Sequence, residues 1–130
     1  MYQFEQAGKT NSTYGTGNEE KKYKIILLGD EASASASEVL IAGLRDNLGA
    51  VLIGKQTYGK GTVQELVTLS DGNQYKITVK KWLTPKGSWI NETKGITPDI
   101  EVALDEKYYK TYDSSDDTQL QAALQYIRNN

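Results

Sequence analysis

Ser35 and Lys60 are the residues of this chain best suited to chemistry. Ser35 lies within Glu31-Ala-Ser-Ala-Ser-Ala-Ser-Glu38, and Lys60 within Gly59-Lys60-Gly61-Thr62-Val63-Gln64. The chain has no histidine and no cysteine. Nucleophilic chemistry would therefore need a serine attacker and a proton acceptor other than imidazole. Lysine fills that role in Ser-Lys variants of the catalytic triad. A lysine accepts a proton only as the neutral amine, a form that burial against apolar surface favours. The runs Tyr23 to Leu28 and Ala50 to Ile53 are candidates for such a wall. Gln64 could hold the amine by a hydrogen bond; taken alone it reads as a polar strand residue facing solvent. Four residues of extended strand span ~13 Å, so that contact is easier if Gly59-Lys60-Gly61 bends or bulges.

Taken alone, the Ser/Ala run also reads as a low-complexity linker. Its position argues otherwise, because it joins an apolar run ending at Gly29-Asp30 directly to a helical pattern. A serine at a helix N-terminus has free backbone N–H groups and the helix dipole nearby, and both can stabilise an oxyanion. The alternating alanines leave room for a substrate backbone. Spacing leaves Ser33, Ser35 and Ser37 all open as the attacker.

These residues need a scaffold, and the pattern around them predicts an α/β one. Tyr23 to Leu28 reads as a buried strand. Leu40, Ile41, Leu44 and Leu48 recur at helical spacing. Ser35 or Ser37 can cap that helix, Glu38 suits its positive end, and Gly49 can close it. Ala50 to Ile53 is a second strand, giving a βαβ unit with parallel strands. Thr62 to Leu69 and Gln74 to Trp82 then form a hairpin around Asp71-Gly72. Thr84-Pro85-Lys86-Gly87 is a turn, and Ile100 to Val102 a short strand. Asp113 to Asp117 starts a C-terminal helix whose apolar face carries Leu120, Ala123, Leu124 and Ile127, with Arg128 at its negative end. Tyr2 to Gln6 reads as a short edge strand and Ala7 to Glu20 as a loop. The expected organisation is one domain, 1–130. Residues 1–22 form an edge strand and flexible loop, 23–102 the core, and 103–130 a linker and C-terminal helix.

Composition narrows the function. The 130 residues are 38% hydrophobic and 25% charged, as in a globular domain. A net charge of −2 gives no electrostatic case for nucleic acid or anionic lipid. The missing cysteine and histidine argue against thiolate, zinc and copper sites, so no metal or cofactor is expected. No apolar run approaches the ~20 residues of a membrane span. No signal peptide is visible after Met1, which fits a cytoplasmic protein or an internal piece of an exported one. Gly54-Lys-Gln-Thr-Tyr-Gly59-Lys60 nearly spells a phosphate-binding loop, but Gly61 stands where Ser or Thr is required. A β pattern follows instead of a helix, so no helix N-terminus would face the phosphates; nucleotide is not an expected partner. Glu38 reads as a helix N-terminal charge rather than an acid/base. Gly95 to Ile100 reads as a turn into a strand, and Tyr108, Tyr109 and Tyr112 as packing.

Four motifs in sequence order resemble a known family. They are Ser33-Ala34-Ser35-Ala36-Ser37-Glu38, Gly59-Lys60-Gly61-Thr62-Val63-Gln64, Thr84-Pro85-Lys86-Gly87 and Gly95-Ile96-Thr97-Pro98-Asp99. Together they resemble the tail-specific, or C-terminal processing, serine peptidases over about Tyr23 to Val102. The resemblance implies a crotonase/ClpP-like α/β core. It maps the nucleophile to Ser35, the general base to Lys60 (60 − 35 = 25 positions later), the lysine-orienting residue to Gln64 and one oxyanion donor to the backbone N–H of Ala36. It implies endopeptidase cleavage near flexible C-terminal tails through an acyl-enzyme, with the tail bound as an added strand. It also implies a parent protein working in the cell envelope. There are departures. No Asp-Leu-Arg-x-Asn-x-Gly-Gly-like segment, whose glycine supplies the second oxyanion donor, precedes Ser35, and no PDZ domain is present. Asp30 stands where asparagine is common, and Ala32 where glycine is common. Losing one oxyanion donor costs about a hundred- to a thousand-fold in rate, so the chain alone is expected to be weak or inactive. The alternative reading is a non-catalytic peptide- or ligand-binding module on the same scaffold.

Overall fold

Two sheets of opposite character meet over one helix. A computed structural model describes residues 2–17 and 23–130. In chain order it contains β1 (Tyr2–Gln6), β2 (Lys9–Thr13), β3 (Ile26–Gly29), α1 (Ala36–Leu48), β4 (Val51–Gly54), β5 (Thr62–Thr68), β6 (Gln74–Leu83), β7 (Ile100–Glu101), α2 (Tyr108–Thr111) and α3 (Thr118–Asn129). The expected βαβ unit is present. β3 and β4 pair in parallel from Ile26↔Val51 to Gly29↔Gly54, and β7 adds to β4 in parallel at Ile53↔Ile100. Parallel strands are covered on both faces, and Leu52 and Ile53 are fully buried accordingly.

The other sheet is antiparallel, in the order β2-β1-β6-β5. Two expectations need correcting here. β1 is not an edge strand, because β6 flanks it on one side and β2 on the other. Lys9 to Thr13, expected as loop, is that second strand, its register running from Tyr2↔Thr13 to Gln6↔Lys9. Its polar, fully exposed residues carry no burial signal, and the strand exists through backbone pairing. The rest of the expected loop to Glu20 is described only as far as Gly17. β5 and β6 form the predicted hairpin, closed by the Leu69 N–H to Asn73 O bond of 2.8 Å.

The core lies where the layers meet. Ile41 and Ala42 of α1, Leu52 of β4, Trp82 of β6, and the loop residues Ile90 and Ile96 form one buried cluster, with Phe4, Leu27, Val39 and Val63 packed around it. The apolar face read along α1 is only partly buried. Leu40 and Leu48 remain 59% and 37% exposed, lining a groove with Tyr2 and Tyr14. The Gly95-to-Asp99 turn fastens helix to strand. Asp99 Oδ2 accepts from Leu52 N–H at 2.8 Å, its Oδ1 pairs with Arg45 of α1, and Arg45 Nη1 donates to Thr97 O at 2.8 Å. α3 packs on β3 and β4. Asp117 caps it by accepting from Leu120 N–H at 2.9 Å, and buried Gln119 donates to Val102 O at 3.0 Å. Among the described residues no helix is long and apolar enough to cross a membrane.

Leu52 is wholly buried whereas Leu28, on the neighbouring strand, is 43% exposed. Leu52→Ala is therefore expected to lower the unfolding free energy by about 2–5 kcal/mol, and Leu28→Ala by less than about 1 kcal/mol. Urea titration of the two variants checks the contrast.

Candidate active site

The serine loop has one strained member. Ser35 is the N-cap of α1 with φ 55° and ψ −110°. A non-glycine residue held there costs about 1–3 kcal/mol and persists only where its surroundings over-determine it. They do so here. Ser35 N–H donates to Glu38 Oε2 at 2.7 Å, Val39 N–H to Ser35 O at 3.0 Å, Ser37 N–H to Ala34 O at 3.1 Å, and Tyr58 N–H to Ser33 O at 3.0 Å. The three serines differ in what holds them. Ser33 Oγ donates to Asp30 Oδ1 at 2.9 Å and accepts from Asp30 N–H at 3.1 Å. Ser37 is exposed within the first turn. Ser35 faces a cavity.

Glu38 is the residue that sequence reasoning undervalued. It is fully buried and accepts from four donors. Oε2 takes Ser35 N–H and, at 3.0 Å, Lys60 N–H; Oε1 takes Gly59 N–H and Thr57 Oγ1–H, both at 2.6 Å. One carboxylate thus joins the serine turn to the lysine loop. Thr57 is itself buried and accepts from Ile96 N–H at 2.8 Å, which brings the Gly95-to-Asp99 turn into the same network. The Ser-x-x-Glu spacing of a capping box was the available signal. Nothing local showed that the carboxylate would also reach residues 21 and 22 positions further on.

The lysine loop is clamped from its other side. Trp82 Nε1 donates to Lys60 O at 2.8 Å, Trp82 N–H to Gly61 O at 3.0 Å, and Trp89 Nε1 to Gly61 O at 3.1 Å, while Asn91 Oδ1 accepts from Gly61 N–H. The two glycines are there because the loop is pressed close. A Cβ on Gly59 would lie 2.7 Å from Gly95 N, and one on Gly61 2.8 Å from Trp89 Nε1. The tryptophans and Asn91 carried no readable signal in sequence, because their contribution is to hold backbone from a distance.

Ser35, Ala36, Lys60 and Gln64 all line one cavity of about 440 Å³, together with Phe4, Val39, Thr62, Val63, Lys76 and Trp82. Ala36 is the first residue of α1, so its N–H has no partner within the helix. The apolar wall beside Lys60 is not the one expected. Phe4, Val39, Val63 and Trp82 supply it rather than the strands before and after α1. Gly59 bends the loop with a φ of 90°, and a register shift in β5 falls between Val63 and Gln64. Gln64 Nε2 donates to Thr78 Oγ1 at 3.3 Å, and among the described residues no hydrogen bond joins the Lys60 amine to Ser35 or Gln64. No cluster of His, Cys, Asp and Glu suited to a metal ion occurs among the described residues.

Glu38→Ala would leave three backbone N–H groups and the Thr57 hydroxyl without their acceptor. Each buried donor left unpaired costs about 1–3 kcal/mol, so the variant is expected to lose at least about 3 kcal/mol in chemical denaturation. A loss under about 1 kcal/mol would show that the two loops are held by something else.

Comparison with known proteins identifies the family. The family model of peptidase family S41 matches residues 1–102. The chain is 36% identical over 126 residues to the carboxy-terminal processing protease CtpB of Bacillus subtilis, covering 97% of this chain and 25% of that protein. It is 37% identical over 127 residues to a carboxyl-terminal-processing protease of a Picosynechococcus species, covering 98% of this chain and 30% of that one. The solved photosystem II D1 C-terminal processing protease superposes with a TM-score of 0.70 at 33% identity, over 78% of this chain and 27% of the other. The chain thus spans 25% to 30% of the length of these two sequence relatives. With its serine turn and lysine loop joined in one α/β core, the chain belongs to peptidase family S41, the family of these C-terminal processing proteases.

Proposed function

We propose that the parent of this chain is a serine endopeptidase that cuts proteins near flexible C-terminal tails, with Ser35 as nucleophile and Lys60 as general base. The observation that carries this reading is the single cavity lined by Ser35, Ala36, Lys60 and Gln64. Ser35 Oγ attacks the scissile carbonyl while the neutral Lys60 amine takes its proton. The tetrahedral oxyanion is met by Ala36 N–H at the positive end of α1 and by a second donor from elsewhere in the parent. The lysine ammonium then passes the proton to the departing amine. Water attacks the acyl carbonyl while giving a proton to Lys60, and Lys60 returns that proton to Ser35 Oγ as the ester bond breaks and the acid leaves. Gln64 leaves Thr78 and turns to the lysine, an adjustment that an exposed side chain on a bulged strand makes readily. The tail lies extended in the cleft beside Val63 and Gln64. On the strength of the family resemblance, the parent works in the cell envelope.

The second reading, a binding module on the same scaffold, is favoured by one observation: Gln64 engages Thr78 and not the lysine. A serine-reactive phosphonate separates the two.

In the full-length parent, Ser35→Ala and Lys60→Ala are each expected to lower kcat/KM on a tailed substrate by at least about a thousand-fold, and the phosphonate is expected to label Ser35. The isolated chain is expected to be about a hundred- to a thousand-fold slower than the parent, since it holds one oxyanion donor of two. Undiminished cleavage by the Ser35 variant would overturn the mechanism. Active parent unlabelled at Ser35 would do the same.

A further inference from the structure

Lys76 lines the same cleft and has no ion-pair partner among the described residues. It lies on β6 opposite Leu66, in the pair next to Gln64↔Thr78 on the same face of the hairpin. Two residues of strand are about 7 Å, so Lys76 is that far along the cleft from the residue proposed to orient Lys60. Both line the cavity. Among the described residues no carboxylate lies within ion-pair reach of the Lys76 ammonium. The neighbouring lysines of β6 are engaged otherwise: Lys80 lies over the Phe4 ring at 5.8 Å, and Lys81 pairs with Glu5 at 3.8 Å and sits over Trp89. The cavity lining itself holds two lysines and no acidic residue. Glu38 lies beneath Ser35 and Lys60, buried, with its oxygens already taken by four donors.

Lys76 is exposed and lines the same cavity as the apolar side chains Phe4, Val39, Val63 and Trp82. A bound peptide would exclude water from those walls and strengthen any charge pair formed there. We propose that Lys76 makes this cleft select for a carboxylate in the substrate, within two or three residues of the cleaved bond. The proposal rests on the peptidase reading above. The carboxylate has two possible sources, an Asp or Glu side chain or the free C-terminus of a short tail, and the shared chemistry is the anion. An extended tail running over β5 and β6 brings either one opposite Lys76. Lysine would be repelled at that position, and an amide would gain nothing from the charge.

The test uses the full-length parent with two peptide series. One varies Glu, Gln and Lys at each of the three positions on either side of the cleaved bond. The other compares a free C-terminal acid with its amide. Selectivity is read as ratios of kcat/KM, so a general loss of activity in a variant does not enter. Wild type is expected to prefer Glu over Gln, or acid over amide, by about five- to ten-fold at low salt, and the ratio should shrink as salt rises. Whichever series carries the preference identifies the source. Lys76→Gln is expected to bring the ratio to about one, and Lys76→Glu to invert it in favour of the lysine peptide. Lys76 is exposed, so both variants are expected to fold as wild type does, which circular dichroism checks. Equal cleavage of every peptide by wild type overturns the proposal, as does a preference that survives in Lys76→Gln. If Ser35→Ala is inactive in those same assays, the peptidase reading stands and only the role of Lys76 falls. If Ser35→Ala cleaves as wild type does, both fall.

Discussion

One buried carboxylate holds the two halves of the site together. A charge away from water is costly unless its hydrogen-bonding capacity is filled, and Glu38 fills it with donors from residues 35, 57, 59 and 60. The consequence is cooperative. If either loop moved away, the carboxylate would face unpaired donors or lose its own partners, so serine turn and lysine loop keep their relative positions together. Thr57 extends the arrangement, because it passes one hydrogen bond to Glu38 and receives another from Ile96. Three motifs that look independent in the chain are thereby parts of one network.

The two indoles apply the same logic from the antiparallel side. Trp82 is nearly fully buried, belongs to the core cluster, and still has its ring N–H free to hold Lys60 O. Packing and positioning are therefore done by one side chain. The backbone of the serine turn and lysine loop is fastened by Glu38, Trp82, Trp89 and Asn91, whereas the cavity-lining side chains Gln64 and Lys76 are exposed. Such a division would suit the peptidase cleft proposed above, in which Ser35 must stay fixed while side chains at the mouth adjust to a bound tail. The strain at Ser35 is sustained by the same bonds that fix its neighbours.

Much of this was legible in the chain, for reasons that differ from element to element. β3, α1 and β4 are read from local apolar runs and helical spacing, although β3 starts at Ile26 rather than Tyr23 and is only partly buried, and the hairpin is read from Asp71-Gly72. β2 was missed because Lys9-Thr-Asn-Ser-Thr13 has no apolar side to display; its pairing with β1 is a backbone matter. Leu40 and Leu48 share the spacing of buried residues yet lie exposed, which periodicity cannot reveal. Ser35 and Lys60, the residues proposed for chemistry, stand in loops whose motifs are readable in the chain, although spacing alone does not single out Ser35 from Ser33 and Ser37. Glu38 was visible as a capping residue, but its reach to Gly59 and Lys60 depends on a fold that brings segments 21 and 22 residues apart into contact. Asp99 is similar, since its bonds to Leu52 and Arg45 span 47 and 54 residues.

The most direct measurement is a crystal structure of the full-length parent inactivated by a peptidyl phosphonate. The account predicts phosphorus bonded to Ser35 Oγ, the Lys60 amine within about 2.6–3.2 Å of that oxygen, Ala36 N–H on the phosphonyl oxygen, and Glu38 still bridging the two loops. An adduct on another residue, or a Lys60 amine turned out of the cleft while Ser35 is modified, would contradict it.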